Sequence, residues 1–355
     1  MKPEEARLEY PFGDELPPPG QAMDVANDIW WIRMPLPFAL DHINLWCLRD
    51  SIDGQEGWTL IDCGVARDEV RQSWEALFTN MLQGLPVLRV IVTHMHPDHV
   101  GLADWLCKRW NAPLYMTMTD YMTARHWSSV TVSNDYGGTG GKATADFFAR
   151  HGLQDADALE QMRNRADYYP DLVPSVPAEF HRLMHGDELT IGDASWRIIV
   201  GYGHAPEHAS LYCKEKEVLI SGDMLLPRIS TNVSVHSFEP MGNPLPAYLE
   251  SLHGYDDVPD QALVLPSHGR PFRGAQIRIA QQHAHHDERF AEVLQACETP
   301  KTAAELLPVL FRRKLDTHQL SFAMGEALAH LHALYYRGEL KRQVDKNGVI
   351  RFVTA

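Results

Sequence analysis

Apolar residues along the chain fall into two kinds of pattern. Short β-branched and aromatic runs bounded by Gly, Pro and Asp predict strands over 29–34, 43–48, 58–61 and 87–92. Between the third and fourth, Val70, Trp74, Leu77, Phe78 and Met81 recur at three- and four-residue steps and predict a helix over 67–82. Strand signals return at 188–191, 196–200, 210–213, 218–220 and 262–265, and a long helix is expected over 276–297. Strands and helices alternating in this way imply an α/β architecture. The rhythm breaks over 117–180, where helix-like stretches at 143–151 and 156–169, a glycine-rich turn at 137–141 and many aromatics read as an inserted helical segment.

The two ends differ from this middle. Residues 1–27 are acidic and proline-rich, with Pro17, Pro18 and Pro19 in succession, and read as an extended arm. After 298, Thr302 and Glu305 have capping-box spacing and open a short helix. Leu320, Met324, Ala327, Leu331 and Leu334 form the stripe of a second helix, and 340–344 and 349–353 form a hairpin through Asp345-Lys346-Asn347-Gly348. Two helices and a terminal hairpin suggest a winged-helix-like module over 299–355, which leaves 28–298 as the main domain.

Charge and cysteine usage narrow the function. The 355 residues carry a formal charge of −15, which disfavours a whole-protein role in gripping polyanions or anionic lipid. The 5 cysteines are far apart in sequence, which argues against a CxxC redox pair or a disulfide framework. Glu4, Glu5 and Glu9 stand where a signal peptide would begin with basic residues, and no run approaches the length of a membrane span. A reducing cytoplasm is the expected compartment. The 19 histidines are the unusual feature of the composition, and either surface polarity or metal ligation would account for them.

The sequence Thr93-His94-Met95-His96-Pro97-Asp98-His99 favours metal ligation. It follows directly on a predicted strand, and residues two apart at a strand end tend to project to one side. His94 and His96 can therefore meet one cation while Asp98 and His99 reach a neighbouring position. Imidazole and carboxylate are ligands that Zn²⁺ accepts. Gly203-His204-Ala205-Pro206-Glu207-His208, Gly222-Asp223 and Ser267-His268-Gly269 also follow predicted strands, and strand ends can converge on one sheet edge.

These four motifs, in this order, resemble those of the metallo-β-lactamase-fold hydrolases, and within them the glyoxalase II-like branch. The resemblance spans most of 28–298. It implies a four-layer αββα sandwich carrying two divalent metal ions, with Zn²⁺ first and Fe²⁺ or Mn²⁺ as alternatives. By resemblance His94, His96 and His204 would hold the first ion, Asp98, His99 and His268 the second, and Asp223 would bridge them. His208 competes with His204 as a ligand or stands behind it as a supporting residue. Asp62, in Leu60-Ile61-Asp62-Cys63-Gly64, either orients a ligating histidine or caps a strand-to-loop turn.

The resemblance implies a hydroxide held between the ions as nucleophile, with Asp98 orienting it, and a small acyl compound as substrate: a thioester, ester or lactone. Met118, Trp127, Tyr136, Tyr168 and Tyr169 either line an adaptable substrate pocket or pack the insertion against the sandwich. His283, His285, His286 and Asp287 read as a solvated helix face. A metal-dependent phosphodiesterase or endoribonuclease is the main alternative, because residues 301–355 carry nine Lys/Arg against five Asp/Glu. The expected second helix of that module, 318–336, contains no Lys or Arg, however, and nucleic-acid affinity rests mainly on cations against phosphates. A packing or homodimerisation role is favoured for the module. A persulfide dioxygenase or a non-catalytic binding protein are further alternatives of lower weight.

Overall fold

A computed structural model describes residues 7–129, 141–165, 168–312 and 315–355. Tyr136 and most of the glycine-rich turn lie outside the described residues. The first sheet has seven strands in sequential order: β1 (Ala22–Ala26), β2 (Ile29–Pro35), β3 (His42–Ile52), β4 (Gln55–Ile61), β5 (Val87–Ile91), β6 (Leu114–Met116) and β7 (His181–Arg182). The first four pair antiparallel, and β4 through β7 pair parallel. The second sheet has the order β12-β11-β10-β9-β8, formed by β8 (Glu188–Ile191), β9 (Ala194–Gly201), β10 (His208–Cys213), β11 (Val218–Gly222) and β12 (Leu263–Pro266). Because β9 and β10 are antiparallel, β10 and β11 antiparallel, and β11 and β12 parallel, β9, β11 and β12 end on the same edge.

Alternation along each strand supplies the layers. Trp31, Trp46, Ile61 and Ile91 of the first sheet face Trp196, Ile198, Leu211, Ile220 and Leu265 of the second in one buried cluster. The opposite face of the first sheet, with Ile32, Leu45, Leu60 and Val90, buries Val70, Trp74 and Leu77 of α1 (Asp68–Asn80). The single-turn α2 (Pro97–Val100) and α3 (Ala103–Trp110) follow, and Leu106 of α3 joins that cluster. Both faces of the central strands are covered, so their sequences read as nearly continuous apolar runs. Polar ties also join the sheets. Arg89 on β5 pairs with the buried Asp50 on β3 at 2.7 Å and donates to the Thr190 carbonyl, and Asn44 on β3 donates to the Pro266 carbonyl at 2.8 Å.

The segment 117–180 carries α4 (Met118–Ser128), α5 (Gly141–Arg150), α6 (Ala156–Arg163) and α7 (Tyr168–Leu172). The helix expected over 156–169 ends early, at Arg163, and a separate short helix carries Pro170 in its first turn, where no intrahelical N–H is needed.

The outer face of the second sheet is covered by α8 (Pro244–Ser251) and α9 (Ala275–Ala296), and then by α10 (Ala303–Leu310), α11 (Thr317–Tyr336) and the hairpin β13 (Leu340–Val344) and β14 (Ile350–Thr354). The Thr302/Glu305 capping box is formed. Residues of α5, α6, α8, α9, α10, α11 and the hairpin share a single apolar cluster with Ile199, Leu219 and Val264 of the sheet. From Ala323 to Leu334, α11 is buried on nearly every side, so it is a core helix.

Two further sequence expectations change. Residues 22–26 are not part of an extended arm: β1 pairs with β2 through a tight turn in which Asp28 takes φ 65°, a backbone region that aspartate tolerates, so the boundary at 27 cuts a hairpin. Leu8 is buried in the main apolar cluster, and Glu9 exchanges backbone hydrogen bonds with Arg273. The histidines of α9 are not all solvated either. His286 is buried and lies 3.1 Å from His330 of α11, because the C-terminal helices cover that face.

Candidate metal centre

The residues of the four motifs meet at one edge, where the carboxyl ends of β4, β5, β9, β11 and β12 lie. β5 ends at Ile91 and leads through Thr93 to His94, and the chain then turns at His96 into α2, whose Pro97 suits a first helical position and whose His99 points inward. Gly101 must be glycine. A Cβ there would lie 2.5, 2.6 and 2.7 Å from the carbonyl oxygens of Pro97, Gly64 and Leu172.

Two groups of ligand-type atoms converge. The first comprises His94, His96, His204 and Asp223, and the second comprises Asp98, His99 and His268; within each group the atoms lie within 4.8 Å of one another. His94 Nε2 is 2.8 Å from His96 Nδ1 and 3.2 Å from His204 Nε2. A tetrahedral zinc ion binding nitrogen at about 2.0–2.1 Å spaces its ligands by roughly 3.3 Å, so the spacing fits. Asp223 faces both groups. Its Oδ2 is 3.3 Å from His204 Nε2, while its Oδ1 is 3.6 Å from His99 Nε2 and 3.5 Å from His268 Nε2. Asp98 Oδ2 lies 3.4 Å from His268 Nε2 and 3.7 Å from His99 Nε2.

The surroundings fix which nitrogen faces inward. His204 Nδ1 donates to the Asn232 carbonyl at 2.7 Å, and His268 Nδ1 donates to the His42 carbonyl at 2.8 Å. His99 Nδ1 donates to Asp62 Oδ2 at 2.8 Å. In all three the proton sits on Nδ1, leaving the Nε2 lone pair directed at the centre, as a metal-binding imidazole requires. Asp62 also accepts from the backbone N–H of Thr93 at 2.8 Å while holding φ 63°.

His208 sits differently. Its Nε2 accepts the backbone N–H of Asp223 at 3.0 Å, and its ring fills the space beside Gly222, where a Cβ would lie 2.3 Å from Nε2. The nitrogen is therefore engaged with the backbone, and the ring buttresses the Asp223 turn.

Electrostatics match a cation site. Burial, with neighbouring imidazoles adding to it, holds His94 and His96 well below the ordinary histidine range, so both are neutral. Burial works against charge on His99 and His268, yet the surrounding carboxylates raise both, His268 to about 10. Asp98 and Asp223 thus call for positive charge at this point, which a divalent cation held by the Nε2 atoms would supply. His99 Nε2 and Asp223 Oδ1 are buried without a hydrogen-bond partner in the protein, and such orphaned polar atoms are costly unless a ligand completes them. The donor set therefore fits divalent cations.

Several supporting residues carry no sequence motif. Asp120, fully buried on α4, accepts the backbone N–H of Met95 at 2.8 Å and of Glu207 at 2.6 Å, tying the two histidine turns together. Burial pushes its carboxyl up to about 7. Glu207 in turn accepts the Thr119 N–H at the start of α4. Asn232 and His42 act through backbone carbonyls, which any residue type supplies, so no side-chain pattern reveals them.

Of the pocket candidates, Tyr169 and Trp127 are buried and packed edge to face, with the Tyr169 hydroxyl donating to the Met95 carbonyl. Met118 is exposed. Tyr168 lies 3.2 Å from His318 Nε2 of α11, and Phe38 stacks on that imidazole.

An αββα sandwich with clustered His and Asp at one edge defines a class of metal-binding proteins. The chain belongs to the metallo-beta-lactamase superfamily, whose family model matches residues 46–268, and a second model, the metallo-beta-lactamase-like C-terminal domain, matches residues 290–355. The crystal structure of a beta-lactamase domain protein from Burkholderia ambifaria is 53% identical, with a TM-score of 0.93 over 99% of both chains. A metallo-beta-lactamase family protein from Thermus thermophilus is 26% identical, with a TM-score of 0.73 over 92% of this chain and 99% of that one. A probable metallo-hydrolase of Bacillus subtilis (strain 168), YqjP, is 24% identical over 320 residues, covering 87% of this chain and 92% of the relative. These relatives support a hydrolase, and no helix among the described residues is long and apolar enough to cross a membrane.

Proposed function

We propose that the protein is a dinuclear metal-dependent hydrolase acting on an activated acyl substrate, a thioester, ester or lactone. His94, His96, His204 and Asp223 would hold one ion, and Asp98, His99, His268 and Asp223 the other. The observation that carries this reading is Asp223, whose two oxygens face the two clusters separately. Zn²⁺ suits the nitrogen-rich first group best, and Fe²⁺ or Mn²⁺ remain compatible with the His/Asp set. When bound, such a pair supplies an activated water and a Lewis acid for the carbonyl oxygen.

The chain's own residues do the rest. Burial works to raise the Asp98 carboxyl, but the neighbouring His99 and His268 imidazoles hold it below the usual carboxylate range, so that it would serve as acceptor for the attacking water. Asp62, Asn232 and the His42 carbonyl hold the imidazoles in their tautomers. Tyr168, Phe38 and His318 pack together, and this aromatic surface would suit an apolar acyl chain as one wall of the substrate approach. The winged-helix-like segment is read as a packing element. Its would-be recognition helix is α11, and its burial from Ala323 to Leu334 supports packing over groove binding.

Metal analysis with turnover of the metal-replete protein on acyl thioesters, lactones, β-lactams and phosphodiesters tests this. Two ions per chain with preferential acyl hydrolysis is expected. Fewer than one ion per chain, or turnover confined to phosphodiesters, overturns it.

A further inference from the structure

Two of the proposed ligands, His204 and Asp223, are held by one short segment outside every sequence motif. His204 Nδ1 donates to the Asn232 carbonyl at 2.7 Å, and the Thr231 hydroxyl donates to the Asp223 carbonyl at 2.5 Å. Both contacts come from Thr231–Val235, which belongs to no regular element. A segment of that kind keeps its place only through what packs against it.

What packs against it is α11, nearly a hundred residues further along the chain. The Val235 N–H donates to the Gly325 carbonyl at 3.1 Å. The approach at Gly325 is close enough that a Cβ there would lie 2.6 Å from the Ser234 Cβ. The Ser234 hydroxyl donates to Asn232 Oδ1 at 2.8 Å, and the amide nitrogen of the same side chain lies 3.4 Å from Glu326 Oε2. Asn232 is thus gripped at its side chain by Ser234 and Glu326 while its carbonyl aims His204. Val233 and Val235 are buried in the cluster that contains Met324, Ala327 and Leu328.

We propose that the C-terminal helix α11 is a positioning element of the metal centre: through Gly325 and Glu326 it fixes Thr231–Val235, whose Asn232 carbonyl aims His204 at the first ion. This rests on the dinuclear reading of the site. The second group is reached by other routes, His99 through Asp62 and His268 through the His42 carbonyl, so the effect of α11 falls on one ion rather than both. Residues behind a ligand typically shift metal affinity by about 10–100-fold when removed.

The experiment titrates metal-free full-length protein with Zn²⁺ against a chromophoric chelator, for wild type, Glu326→Ala, Glu326→Gln and Gly325→Ala. Thermal unfolding and the visible spectrum of the Co²⁺-loaded forms are recorded alongside. Wild type is expected to bind two ions. Glu326→Ala and Gly325→Ala should weaken one affinity by about tenfold, leave the other within about twofold, and change the Co²⁺ spectrum. Glu326→Gln, whose amide oxygen still accepts from Asn232, should behave as wild type. If both affinities stay at the wild-type value in Glu326→Ala and Gly325→Ala, the inference fails while the dinuclear reading stands. Equal weakening of both ions in step with a lowered Tm, not rescued in Glu326→Gln, also refutes it, because that is the mark of general destabilisation. A wild-type chain that binds no Zn²⁺ refutes the dinuclear reading and the inference with it.

Discussion

Replacing Asp62 with asparagine removes one charge and almost no volume, yet it should disable half of the metal centre. The side chain is 1% exposed and accepts from three donors: the Thr93 N–H at 2.8 Å, the Thr93 hydroxyl at 3.0 Å and His99 Nδ1 at 2.8 Å. Asparagine has one acceptor oxygen where aspartate has two. If that oxygen stays with the Thr93 N–H, the new NH₂ group meets His99 Nδ1, which must give up its proton to avoid a clash of donors. The proton then moves to Nε2, where the lone pair for the metal has to be. If the amide is turned over, a buried backbone N–H loses its partner, at about 1–3 kcal/mol. Either way the affinity for the ion at Asp98, His99 and His268 should fall about 10–100-fold, or roughly 1.4–2.7 kcal/mol. The other ion should be little affected. Chelator competition on metal-free protein measures both affinities, and urea unfolding reports the fold. A folded Asp62→Asn protein that binds both ions within about twofold of wild type would refute the tautomer argument.

Asp223→Ala should leave at most one ion per chain by elemental analysis, and two retained ions would exclude a bridging carboxylate. His204→Ala should lower affinity for the first ion, whereas His208→Ala should keep two ions but lose about 1–3 kcal/mol of stability through the orphaned Asp223 N–H; the reverse pattern exchanges the roles of the two histidines. Gly101→Ala places a methyl group against three carbonyl oxygens and should cost about 1–3 kcal/mol or more in urea unfolding, so an unchanged midpoint contradicts the close approach. A chain ending at residue 298 uncovers α9 and the outer face of the second sheet, and should lose cooperative unfolding and near-ultraviolet dichroism. A cooperative transition in that fragment would show that the C-terminal helices are dispensable for the core.

Much of this protein is legible in the order of its residues. Periodicity places β2 to β5, the whole second sheet and the long helices, because burial of one or both faces writes itself into the spacing of apolar side chains, but it misses β1 and the very short β6 and β7. The four metal-type motifs stand out because imidazole and carboxylate at strand ends are uncommon without a reason. The choice between His204 and His208, by contrast, depends on where β10 begins. Strand pairing of His208 with Gly201 turns that ring towards the Asp223 backbone and leaves His204 in the loop, free to join His94 and His96. The hairpin at Asp28 escapes the sequence reading because the proline content upstream outweighs one short alternation of apolar residues.

Residue type and local order thus carry the chemistry available at the strand ends and the two-sheet core beneath them. What holds that chemistry in place emerges only when distant segments meet. Asp120, Asn232, His42 and the face of α11 act through backbone carbonyls, buried carboxylates and close helix contacts between segments far apart in the chain. Nothing in their neighbouring residues marks them, because a hydrogen bond across a hundred positions leaves no periodicity in the chain that makes it.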